Sequence, residues 1–234
     1  MSIDDIELSP TQRSTVRRGR ARARLDRAEL VDVLSSARIC HLGVVIDGAP
    51  RVLPTVYGVD LDGPDRGGTL YLHGSVAARS LVAAPNVDVC VTVTTVDGLV
   101  LARSGFHHSM NYRSAVVLGR PRLVTDVGER GRALDTIVDQ VAPGRSQHLR
   151  AHTKKELAAT VVLALSLYEA SVKTRDGGPV DDDVDLAVGG VWAGVVPTGE
   201  WVGEPEPAAD LGPGVDQPNH VTELCSGSPF RSRM

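Results

Sequence analysis

Residues 39–58 read ICHLGVVIDGAPRVLPTVYG, two β-rich runs on either side of Asp47-Gly48. An Asp-Gly pair lets both central residues of a two-residue turn take positive φ. That conformation matches the twist of paired strands, so the stretch predicts a β-hairpin. Val and Ile are stiff at χ1 and fit a pleated surface better than a helix. The pattern returns downstream: VDVCVTVTTV meets LVLAR across Asp97-Gly98, which predicts a second hairpin. TLYLHG (69–74) and YRSAVVLGRPRLV (112–124) read as further strands. VVLALSLYEASVK (161–173) is apolar on both faces and reads as one strand buried in a barrel or at an interface. Strands joined by tight hairpins, with few helices between them, predict a mainly β protein. An antiparallel barrel with flanking helices fits better than a doubly wound sheet, and its closure removes exposed edges.

Helical signals are fewer. Asp26 is placed to cap a helix carrying Leu30, Val33 and Leu34 on one face. SVAARSLVAA (75–84) is helix-like. Leu134, Ile137, Val138 and Val141 follow the i, i+3, i+4, i+7 template and stop before Pro143-Gly144. KKELAAT (154–160) predicts a short helix.

Residues 1–24 read as a basic N-terminal arm, 25–203 as the barrel domain and 204–234 as a Pro/Gly-rich, loop-like tail. Seven arginines stand between Arg13 and Arg27. No aromatic residue is interleaved among them for base stacking, so the arm reads as a solvated tail or an anion-binding strap, and nucleic-acid binding is not expected. The net charge of −4 also argues against a dedicated polyanion binder. Aromatics are only 3% of a chain that is 42% hydrophobic, so aliphatic side chains must fill the core. Cys40, Cys90 and Cys225 form no CxxC or disulfide framework, which predicts a reducing, cytoplasmic setting. The opening MSIDDIELSP has no apolar signal core. No stretch approaches the roughly 20 apolar residues of a membrane span, so no membrane association is expected.

Several common chemistries are excluded by missing motifs: no GxGxxG after a strand, no GxxxxGK[ST], no Gly-x-Ser-x-Gly elbow. His148 and His152 have the i, i+4 spacing of helical zinc ligands. No Glu adjoins the first histidine, and the pair reads as a polar helix face, so no metal site is expected. Two segments carry more. In LYLHGS (70–75) a strand delivers His73, and Ser75 falls where a helix could begin, with Arg79 one turn on; helix N-termini attract phosphate. In FHHSMNYRSAVVLG (106–119) a dense polar run of Ser109, Asn111, Tyr112, Arg113 and Ser114 precedes an apolar strand and could line a ligand mouth as well as a plain loop.

The strings LPTVYGVD, LYLHGS…R, FHHSMNYRSAVVLGR, KTRDGGPVDDD and VWAGVVP, in this order, resemble one branch of the pyridoxamine 5′-phosphate oxidase-like flavin-binding proteins. The resemblance spans roughly Arg17 to Pro207. It implies an FMN-binding split β-barrel of about six strands, working as a homodimer with flavin in a groove shared by the subunits; FAD is an alternative. It places Pro54, Thr55 and Val56 along the isoalloxazine edge and His73 and Ser75 beside the flavin, His73 as the catalytic group. Arg79 and Ser80 then meet the phosphate. Tyr112, Arg113 and Ser114 join the cofactor site, Lys173 and Arg175 are further anion contacts, and Trp192 comes from the partner subunit. Where the oxidases proper have an Arg–His motif after the late tryptophan, this chain reads AGVVPTGEW, so oxidation of pyridoxamine phosphate is not expected. What remains is a flavin-dependent oxidoreductase acting on another small molecule. A non-catalytic flavin-binding protein is the first alternative. A haem-handling protein using His107 or His108 is the second.

Overall fold

The computed structural model describes residues 7–226; the first six residues of the arm and the last eight of the tail lie outside the described residues. The chain runs through β1 (Ala23–Arg24), α1 (Arg27–Ser35), β2 (Ile39–Ile46), β3 (Ala49–Asp60), β4 (Thr69–Ser75) and α2 (Arg79–Ala83). It continues with β5 (Val89–Leu101), β6 (Ser109–Gly119), β7 (Arg122–Leu123), α3 (Val127–Val141), α4 (Lys154–Ala159) and β8 (Thr160–Ser166). It closes with β9 (Ala170–Arg175), α5 (Asp183–Val188), β10 (Gly194–Pro197) and α6 (Asn219–Ser226). All strand pairings are antiparallel, in the order β1-β9-β6-β5-β2-β3-β4-β8-β7, with β10 on β5. Ten strands stand where about six were expected: short strands, two to four residues long, are added at β1, β7 and β10, and the run 161–173 is divided between β8 and β9.

The twelve-residue β3 makes the barrel split. Its first part pairs with β2, and its last four residues pair with β4, so it belongs to both halves of the sheet. The inner face is closed by Cys40, Leu42, Tyr57, Leu70, Leu72, Val91, Val93, Ala115, Val117 and Val172, with Leu30, Val33 and Leu34 of α1. A second apolar cluster lies on the other side of β4 and β8. There Tyr71, Val162 and Ala164 meet Val124 and Ala133 and Ile137 of α3. The helix comes so close that a Cβ on Gly58 would stand 2.8 Å from the Ile137 nitrogen. Burying these aliphatic side chains stabilises by about 1.5–3 kcal/mol each, which lets a chain poor in aromatics hold a barrel.

The Asp47-Gly48 turn forms as the sequence predicts, with φ of 52° and 75°. Asp97-Gly98 does not turn. β5 runs straight through it, and the register against β6 shifts between Val96 and Gly98, a β-bulge. Residues 161–173 are two strands rather than one. β8 pairs with β4 and β7, β9 pairs with β6 and β1, and the chain bends between them. The outward residues Val162 and Ala164 are covered by α3 of the same chain, so this run gives no reason for a partner subunit. α3 begins seven residues earlier than Leu134, where the Asp126 side chain accepts from the Glu129 N–H. His148 and His152 are not on a helix. His148 ends a 3₁₀ turn and stacks on His220 at 4.4 Å, and His152 Nε2 lies 3.0 Å from an Asp135 oxygen.

Residues 7–24 lie against the barrel. Leu8 is buried, the Ser9 N–H donates to the Ala170 carbonyl, and Arg13 binds Glu169 and Asp88. The tail, read as loop-like, ends its described part in α6. Among the described residues no helix is long and apolar enough to cross a membrane.

Candidate functional site

Directly opposed residues in an antiparallel pair share a face, and alternate residues change face. Cys40 and Leu42 point inward, so Ile39 and His41 point outward, and the register carries that face across the sheet. Val56 and Pro54 of β3 oppose Ile39 and His41, and Thr92 of β5 opposes His41. Thr94 opposes Ser114, which in turn opposes Lys173, and Tyr112 opposes Val96 and Arg175. On β4 the inward Leu72 puts His73 and Ser75 outside. The outer face thus gathers Pro54, Val56, His73, Ser75, Tyr112, Ser114, Lys173 and Arg175 into one field. His41, Thr92 and Thr94, which the sequence reading missed, join them; alternation against Cys40 and Val91 was the signal that would have found them.

Each candidate has a definite environment. His73 is half-buried, its Nδ1 is shielded from solvent with no hydrogen-bond partner, and burial holds its pKa below the ordinary imidazole value. The ring is therefore neutral at neutral pH and carries an unused hydrogen-bonding nitrogen. The Thr94 hydroxyl donates to Ser114 Oγ at 3.2 Å. Lys173 Nζ lies 3.9 Å from where a Cβ on Gly19 would stand, so the arm passes beside this corner of the sheet. Arg175 donates to Asn111 Oδ1 and to the Gly177 and Gly178 carbonyls, which commits it to the loop after β9.

Other candidates lie elsewhere. Thr55 and Arg113 have inward parity. Arg113 reaches Asp97 at 3.0 Å and Asp32 at 2.7 Å, and its hydrogen bonds to Asp97, then Asp32, raise its pKa despite burial. Arg113 and Asp97 help line a cavity of about 370 Å³ with Thr95, Ser36, Thr198 and Glu200. Ser75 ends β4 and is not a helix cap. Its Oγ accepts from the Ala77 N–H, while α2 starts at Arg79 behind Ala78 and has five residues. Arg79 is exposed and pairs with Asp47 of the β2–β3 turn, and Ser80 is half-buried in α2. Trp192 is exposed between α5 and β10, its ring edge over Gly194. His107 Nε2 faces Asp182, and His108 Nδ1 lies 2.8 Å from the Ser104 carbonyl oxygen.

A split antiparallel barrel with a polar field on its outer face defines the class: a split-barrel protein whose site is built on a sheet surface. The chain belongs to the pyridoxamine 5′-phosphate oxidase family, whose sequence model matches residues 26–174. Among solved structures it is similar to the flavocytochrome Anf3 from Azotobacter vinelandii, at 36% identity over 92% of this chain and 98% of that one, with a TM-score of 0.83. It is also similar to the FAD and heme binding protein from Mycobacterium smegmatis, at 37% identity over 87% of this chain and 97% of that one, with a TM-score of 0.79. None of the curated proteins matches the chain.

Proposed function

We propose that this chain is a flavin-binding redox protein that seats the isoalloxazine ring on the outer face of β2–β6. The observation that carries this reading is His73. Its side chain stands on the same face of the sheet as Pro54 and Val56, and its buried Nδ1 has no partner. A buried polar nitrogen without a partner costs about 1–3 kcal/mol, which a ligand carrying a complementary group would recover. The field also fits the ring's chemistry: apolar Val56 and Pro54 for its hydrocarbon side, Thr94, Ser114 and Tyr112 for its polar rim. Of the cations on this face, Lys173 is the one for a phosphate, since Arg175 is bonded to the loop after β9; exposed Arg79 would have to leave Asp47 to serve. Similarity to a protein named for FAD supports FAD over FMN.

A bound flavin supplies electron or hydride transfer, and the protein supplies position and electrostatics. His73, neutral and half-buried, would hold or give one hydrogen bond at its free nitrogen. The substrate is a small molecule other than pyridoxamine phosphate, because the segment after Trp192 (AGVVPTGEW) offers no cation to grip that ester. Purified protein should show flavin absorption bands with one flavin per chain, and mass spectrometry of the released cofactor should give FAD. Protein that is colourless and quenches neither FAD nor FMN fluorescence on titration would overturn the reading.

A second reading adds haem. Both similar structures are aligned well past residue 174, where the family match ends, and both are named as flavin–haem proteins. His41 and His73 offer imidazole on the outer face, the ligand type haem iron takes. A Soret band and a pyridine haemochrome spectrum test it; flavin bands without them reject haem and leave the flavin reading standing. The outer face is also where we place a homodimer contact, since Ile39, Val45, Val52 and Val96 are exposed there.

A further inference from the structure

Away from the outer face, ligand-type side chains from two separate segments converge. His107 ends the 3₁₀ turn Gly105–His107 ahead of β6, and Asp182 and Asp185 stand one turn apart at the start of α5. One ligand atom from each lies within 4.8 Å of the other two. His107 Nε2 and Asp182 Oδ2 are 3.2 Å apart. Two donors bound about 2.1 Å from one metal at tetrahedral or octahedral angles stand about 3.0–3.4 Å apart, so this pair already has coordination-sphere spacing.

Three features point the same way. Asp182 is the N-cap residue of α5, where an aspartate ordinarily accepts from the first turn, yet it makes no cap hydrogen bond and faces His107 instead. His107 Nε2 is shielded from solvent and, though close to Asp182, lacks hydrogen-bond geometry to it. The two segments are clamped together, because the backbone N–H and the guanidinium of Arg103 each bond Asp181 at 2.7 Å and the Asp181 side chain is only 1% exposed. Arg103 neutralises Asp181. Among the described residues no Lys or Arg ion pair answers Asp182, Asp183 or Asp185.

We infer that His107, Asp182 and Asp185 form a binding site for a first-row divalent cation of the zinc or manganese type. An imidazole nitrogen beside two carboxylates disfavours calcium and magnesium, which take oxygen ligands. Three protein ligands leave the remaining positions to water. The ion ties the turn before β6 to α5 and so fixes the Gly189-Gly190 link that leads to Trp192. A plain ion pair of protonated His107 with Asp182 is the competing account, and it has no use for Asp185.

The full-length protein, stripped with a chelator and dialysed, is titrated with zinc chloride and then manganese chloride by isothermal calorimetry. One ion per chain is expected, zinc the tighter. His107→Gln and Asp185→Asn should each weaken zinc by about tenfold or more, in the range by which altered metal surroundings cost affinity. Asp183→Asn should not. Wild-type protein that takes up no zinc overturns the site. Zinc uptake undiminished in both variants also overturns it, since the ion then sits elsewhere, for instance at the stacked His148 and His220. If a variant does not fold, the wild type still decides: the His107 ring nitrogen resonances must move on zinc addition, and unmoved resonances reject the site.

Discussion

The carboxylate of Glu169 is one of the ties between the arm and the barrel. Its oxygens accept from Arg13 at 2.7 Å and 2.6 Å and from Thr11, and these bonds, Arg13's first, hold its pKa below the ordinary value of 4.5 despite burial. A carboxylate with a depressed native pKa contributes stability that is fully present above the unfolded pKa and is lost as pH falls through the native one. The stability difference between wild type and Glu169→Gln in urea should therefore be constant near neutrality and shrink below about pH 4.5. A difference that persists unchanged to strongly acid pH would contradict the arm's electrostatic anchoring. Arg13 is nearly half exposed, so solvent screening keeps the effect modest. Gly58 poses the opposite case, a residue chosen for what it lacks. Its missing Cβ leaves room for the α3 backbone at 2.8–3.0 Å, which cannot yield as a side-chain tip would. Gly58→Ala should cost about 1–3 kcal/mol by overpacking, read from the denaturation midpoint; a neutral result would mean that α3 is free to shift. Neither residue's role was visible in the sequence, because both depend on partners dozens of residues away.

The two Asp-Gly pairs show which elements a sequence discloses. At residues 47–48 both φ angles are positive and the turn is local, so the dipeptide suffices to predict it. At residues 97–98 the same dipeptide sits inside β5, because β6 offers a continuous pairing partner on both sides and a bulge absorbs the odd residue. Gly98 is there for a neighbour: a Cβ would stand 2.9 Å from Val195 Cγ1 and 3.3 Å from the Val196 carbonyl oxygen of β10. Substitutions at the two glycines should thus fail differently. Gly48→Ala strains a left-handed turn and should cost about 1 kcal/mol globally. Gly98→Val should detach β10 locally, raising amide exchange at Val195 and Val196 ahead of the rest of the sheet; equal protection at those amides would refute the packing role. The site divides along the same line. The resemblance named Pro54, Thr55, Val56, His73 and Ser75 together; alternation along β3 and β4 puts four of them on one face and turns Thr55 inward. The phosphate-binding helix start at Ser75 did not materialise, because the chain adds a three-residue turn before α2 and leaves Ser75 on the strand.

At the scale of the whole molecule, the apolar residues left uncovered decide what the barrel still needs. Residues 161–173, the first candidate for a partner's surface, are satisfied internally, their outward Val162 and Ala164 lying under α3. The unsatisfied surface is on the other half of the sheet, where Ile39, Val45 and Val52 of β2 and β3 and Val96 of β5 stand exposed on the outer face, Val52 at 67%. Scattered apolar residues need no explanation, but four exposed on one face of a regular sheet make the kind of strip that oligomers bury. A two-fold pairing would set the same strip of each copy against the other and enclose two equivalent outer-face sites between them. Val52→Asp tests this cleanly, because the side chain makes no use of the monomer's core. Burying an unpaired carboxylate at the seam should cost about 3 kcal/mol, roughly two orders of magnitude in the dimer dissociation constant, with the barrel itself intact. Light scattering should show a wild-type dimer and a Val52→Asp monomer, and flavin retention should fall with dimerisation if both subunits enclose the ring. A wild-type monomer at micromolar concentration that holds flavin as tightly as before would reject the paired arrangement and confine the cofactor to one chain's own face.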